Sequence, residues 1–175
     1  MRGLNGEYGF FEGIDLQKAN LYGTDLSKAK LSKANLRHTN LMNAELDEAI
    51  LDSADLTAIK LNNSHLAGAR LRHAKLDSAN LTFTNLSRAF VNGASLKAAD
   101  LSEAKLSDAI FRFADLSGAI FLFAKLDSAD LNSSILQGAD LSLADVRGVQ
   151  LYDADITNAR LTYAVLVGAD LSGAA

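Results

Sequence analysis

Residues 29–51 read AKLSKANLRHTNLMNAELDEAIL, with a leucine at every fifth position: Leu31, Leu36, Leu41, Leu46 and Leu51. An α-helix turns about 100° per residue, so leucines five apart would step about 140° round its surface and form no stripe. An uninterrupted strand fails too. Its side chains alternate with period two, and an odd spacing sends successive leucines to opposite faces. The pattern holds together only if each repeat contains a corner that resets the alternation: a few extended residues, a turn, then the same again. Such a chain winds as a coil with its leucines always inward.

The register runs from Ile14 to the end. Taking the leucine as the centre, 32 centres fall between Leu16 and Leu171; 27 are Leu and the rest are Val91, Phe111, Phe121, Val146 and Ile156. Two residues earlier lies a small position with 33 members from Ile14 to Ala174, of which 25 are Ala. The residue between the two is often Asp or Asn, and the two residues after the centre vary freely. Coils can stack about 4.8 Å apart with ladder hydrogen bonds. Leucine then lies over leucine and alanine over alanine in a narrow interior, and the other three positions face water.

The unit A-(D/N)-L-X-X, as in Ala34-Asn35-Leu36-Arg37-His38 and Ala129-Asp130-Leu131-Asn132-Ser133, resembles the pentapeptide-repeat family. The resemblance covers about residues 14–175. It implies an all-β fold, a right-handed, four-sided parallel β-helix with four repeats per coil, hence about 8 coils and a rod of about 38 Å. Residues 1–13 are expected to be an irregular start, with Tyr8, Phe10 and Phe11 folding over the first leucines as a cap. Residues 14–175 form one repeat domain.

The chain has 175 residues, with 21 acidic and 17 basic side chains and a net charge of -4, which argues against a nucleic-acid binder. It has no cysteine, so neither a disulfide framework nor a Cys-based metal site is available. The longest apolar run, Ala119–Ala124, is far short of the roughly 20 residues that span a membrane. The N-terminus lacks a secretory pattern. The expectation is a bacterial protein acting in the cytoplasm, without a membrane partner.

With a 20-residue coil, the outward residues sort onto four sides. The first, centred on Leu26, Leu46 and Leu66, carries the acidic set Glu45, Asp47, Glu48, Asp108, Asp127 and Asp145, together with Asp25. Lys28, Arg88, Lys105, Lys125 and Arg147 leave it a net of only -2. Duplex DNA would present roughly 22 charges over about 38 Å. The second side, centred on Leu31, Leu51 and Leu71, holds Lys30, Lys33, Arg70, Arg72, His73 and Arg112, diluted by Asp52, Asp130, Asp153 and Asp170. The fourth, centred on Leu21, Leu41 and Leu61, sets Phe83, Phe123, Leu143 and Tyr163 in one column, with Ile120 and Leu122 beside Phe123. Phe90, Ile110 and Phe113 are expected on a neighbouring side. A contiguous apolar patch marks a contact surface.

His38, His65 and His73 fall on three sides and read as plain surface residues; no metal or cofactor is expected. A convex rod with no insertion offers no catalytic pocket. The expected function is therefore a non-enzymatic scaffold that binds another protein or itself. The family resemblance implies an alternative, a DNA mimic directed at DNA gyrase, as in quinolone-resistance members. The C-terminal sequence stays in register to Ala175 without a terminator. If the chain is complete, this predicts an end-to-end homodimer joined at Leu166 and Leu171; otherwise the sequence is a domain of a longer protein.

Overall fold

The computed structural model describes residues 5–175. Its backbone is one ladder of isolated parallel bridges, each joining a residue to the one 20 later, from Asn5–Asp25 through to Gln150–Asp170. Twenty residues, or four repeats, therefore make one coil. Each side contributes a single bridged residue, the one before the centre, and no continuous strand is assigned.

One repeat shows how the sequence builds this. In Ala54-Asp55-Leu56-Thr57-Ala58 all five N–H groups are satisfied. Asp55 donates to Ala34 C=O of the previous coil at 2.9 Å, and Leu56 and Ala58 donate to Lys75 and Asp77 C=O of the next at 2.7 and 2.9 Å. Ala54 closes the preceding corner onto Leu51 C=O at 3.0 Å. The fifth, Thr57 N–H, goes to the Asp55 side chain at 3.1 Å. This last bond explains the recurring Asp or Asn. The first corner residue has no backbone acceptor, and a carboxylate or amide two residues earlier supplies one.

The corners carry a second constraint. Every second corner residue, from Tyr8 to Gly173 in steps of five, has φ between 53° and 73°. Positive φ there and not at the preceding residue is the signature of a type II turn. Nine of the twelve glycines sit at this position, and none of its members is Val, Ile or Thr. The two corner positions thus do not vary alike: the second is free in polarity but excludes β-branching, which crowds a left-handed backbone.

The interior is a stack of apolar side chains. Leucines from Leu31 to Leu151 and the alanines between them are buried, and Phe111 and Phe121 occupy centre positions in the same core. Thr24, Thr84 and Ser134, which replace alanine, are also buried. Their hydroxyls donate to Leu21, Leu81 and Leu131 C=O at 2.7, 2.6 and 2.7 Å, so each of the three is satisfied inside the core.

The expected boundary at residue 14 is corrected. Asn5 and Phe10 already bridge Asp25 and Lys30, so residues 5–13 belong to the first coil. The aromatic cap is corrected with it. Register places Tyr8 and Phe10 outward, 57% and 79% exposed, where they lie against Lys28 and Lys30 at 5.1 and 4.4 Å. Only Phe11, at a centre position, packs on the core. Gly6 and Gly9 stand at inward positions, and a Cβ on Gly9 would lie 2.1 Å from the Phe11 ring, so the ring fills space those glycines leave. Beside it is an apolar cavity of about 250 Å³, lined by Ile14, Leu16, Leu21 and Leu26 among others.

Candidate protein-contact surface

The corner after the fourth side gathers the apolar residues. Phe83, Phe123, Leu143 and Tyr163 are second corner residues of one column, 53%, 57%, 44% and 82% exposed. Phe123, Leu143 and Tyr163 lie on consecutive coils, whereas Glu103 separates Phe83 from them. Ile120 and Leu122 flank Phe123 in the same coil. Val165 and Val167, both exposed, continue the apolar surface beyond Tyr163. Sequence reasoning missed these two because they belong to the next side; their proximity to Tyr163 follows only once the corner is seen to join two sides.

All four column residues pay a conformational penalty. Phe83, Phe123, Leu143 and Tyr163 have φ of 59°, 57°, 63° and 60°, a region that favours Gly and Asn. The same column holds Gly23, Asn43 and Asn63 nearer the N-terminus. Phe123 also sits where the ladder opens. Among the described second corner residues from Tyr8 to Asp153, each donates its N–H to the next coil except Phe123. Charges border the stripe on both sides: Arg160 faces Asp140 at 3.5 Å, and Arg147 chelates Asp145 through bonds of 2.7 and 2.6 Å. Hydrogen bonding from that guanidinium holds the Asp145 carboxyl below the usual carboxylate range.

Phe90, Ile110 and Phe113 do not adjoin this stripe. Their repeats lie ten residues (Ile110, Phe113) or thirty residues (Phe90) from that of Ile120 and Phe123, an odd number of half-coils, which is the opposite side. The expectation of a neighbouring side is corrected.

The six acidic residues of the first side are engaged within the rod to different degrees. Asp47 accepts the Ala67 N–H at 2.7 Å, Asp127 accepts the Ser107 hydroxyl at 2.7 Å, and Asp145 is held by Arg147. Glu45 meets His65 at 3.4 Å, while Glu48 and Asp108 are exposed. The basic residues of the second side are likewise matched. Arg70 pairs with Asp52, Arg112 with Asp130 and Lys33 with Glu12, and Arg72 lies over the Phe90 ring at 5.2 Å. Leu166 is half-buried and Leu171 is 37% exposed at the open end of the core, in the last coil. No helix among the described residues is long and apolar enough to cross a membrane.

A family model described as pentapeptide repeats (8 copies) matches residues 8–32, 19–57, 54–93, 94–133, 124–162 and 139–174. The chain belongs to the pentapeptide-repeat family. Among solved structures it is similar to HetL, a pentapeptide repeat protein involved in heterocyst differentiation regulation from the cyanobacterium Nostoc sp. strain PCC 7120. The two share 32% identity over 99% of this chain and 90% of that one, with a TM-score of 0.58. It is also similar to full-length QnrB1, a plasmid-mediated fluoroquinolone resistance protein, at 22% identity over 97% of this chain and 91% of that one, with a TM-score of 0.66. At that identity the second likeness speaks for the fold alone. Both imply a right-handed β-helix solenoid for this pentapeptide-repeat chain. No curated protein matches it.

Proposed function

We propose that this pentapeptide-repeat protein is a non-enzymatic cytoplasmic scaffold that binds another protein through the corner stripe of Ile120, Leu122, Phe123, Leu143 and Tyr163. The observation that carries this reading is the contiguous exposed apolar surface that Phe123, Leu143 and Tyr163 form on three consecutive coils, with Ile120 and Leu122 beside Phe123. Exposed aromatic residues are also the usual anchors of protein interfaces. The likeness to HetL, a regulatory protein, supports a role exerted through partners.

The gyrase-directed reading has less support, because Asp47, Asp127 and Asp145 are committed to bonds inside the rod. For self-association, the surface we propose is the open last coil at Leu166 and Leu171.

The stripe is tested by the double substitution Phe123→Asn with Leu143→Asn. Asn suits the corner, so the melting temperature should hold or rise. Association with the native partner should weaken at least about tenfold, as loss of interface anchors does. Unchanged association in a folded variant would refute the assignment.

A further inference from the structure

We propose that Glu45, Asp47 and His65 form a binding site for a divalent first-row transition ion such as zinc. The coil creates it. Glu45 and His65 are 20 apart and bridged, so their outward side chains stand one above the other on adjacent coils. Asp47 lies two residues beyond Glu45, on the adjoining corner. One ligand atom from each of the three falls within 4.8 Å of the others. His65 Nδ1 lies 3.4 Å from Glu45 Oε2, too long for a good hydrogen bond. Two ligands held on metal bonds of about 2.0–2.1 Å at a tetrahedral angle lie about 3.3–3.4 Å apart. The pair is therefore already spaced for a shared ion.

The third ligand is held in place. The Ala67 N–H donates to Asp47 Oδ1 at 2.7 Å, which orients the carboxylate and leaves Oδ2 available. A shallow groove of about 290 Å³, lined by Asp47, Glu48, Ala67, Gly68 and Arg88, adjoins the Asp47 carboxylate. The imidazole decides the class of ion. Carboxylates alone suit calcium or magnesium, whereas one nitrogen with two carboxylates suits zinc and its neighbours. A bound ion would bridge two coils.

Titration calorimetry of the full chain with zinc chloride, run beside calcium chloride, tests this. One zinc should bind per chain, and the His65 imidazole signals should shift while those of His38 and His73 stay. His65→Ala should weaken zinc binding about tenfold or more. Asp47→Asn, which keeps the acceptor for Ala67, should also weaken it, and His73→Ala should not. Absence of binding at millimolar zinc would overturn the proposal and leave Glu45 and His65 as an ion pair only. Zinc binding indifferent to His65→Ala, or calcium binding as tight as zinc, would overturn it as well.

Discussion

Leu81→Ala is expected to destabilise the rod by about 2–5 kcal/mol, the range for removing a buried leucine and leaving a cavity. Leu81 is fully buried, and coils above and below it present Leu61 and Leu101, which are held by the ladder. The walls therefore cannot collapse inward to fill the gap, which places the cost high in the range. The converse change, Ala79→Leu, should cost about 1–3 kcal/mol, because the alanine column is equally closed. Ser87→Ala, on the outside, should fall within about 0.5 kcal/mol. Urea melts of the three variants give the comparison. A loss at Ser87 equal to that at Leu81 would contradict the placement of centres inside and corners outside.

The second large effect is expected between two neighbours of one corner. Arg88→Val should cost about 1–3 kcal/mol, while Ser87→Val should cost little. Arg88 has φ 58°, and a β-branched side chain in that region strains the backbone. Ser87, one residue earlier, is not among the positive-φ residues, and its position elsewhere holds Thr57, Thr82 and Val167. Arg88→Gly should recover stability relative to Arg88→Val by relieving the strain. If the two valine variants melt alike, the turn assignment fails.

The inward columns were legible because period five admits only a cornered coil and because Leu and Ala leave no other core. The frequent Asp and Asn were visible in the sequence, but their purpose was not. Only the hydrogen bond from Thr57 N–H to Asp55, repeated at Ser117 and Asp115, shows that they complete the backbone. Where that position lacks Asp or Asn, as at His65 and Arg70, the acceptor comes from the coil below, Asp47 or Asp52. That substitution explains part of the apparent acidic face. The conformational constraint on the second corner residue was present as a silence, the absence of Val, Ile and Thr. Counting residue types per position would have found it.

The candidate surface was only partly legible. The 20-residue spacing places Phe123, Leu143 and Tyr163 in one column, but the side that holds Phe113 is visible only from the closed coil, where half a turn separates it from Phe123. The first-coil aromatics are not legible as outward residues in a register read from Ile14 onward, because the coil is already formed at Asn5. His65 has no second histidine near it in the coil, and its nearest ligand-type neighbour is the carboxylate 20 residues earlier, Glu45.

The core, the corner stripe and the ion site all rest on a coil of twenty residues. The chain contains no cysteine, which gives a clean background for cross-linking. Ser107 and Asp127 occupy equivalent corner positions 20 apart, with side chains in contact at 2.7 Å. Coils about 4.8 Å apart fall within the Cα separation that a disulfide spans, about 4.4–6.8 Å. Under mild oxidation, the pair Ser107→Cys with Asp127→Cys should cross-link readily. Ser107→Cys paired with Leu122→Cys or with Asn132→Cys, 15 and 25 residues away, should stay reduced. Cross-linking at either of those spacings, and not at twenty, would contradict the account.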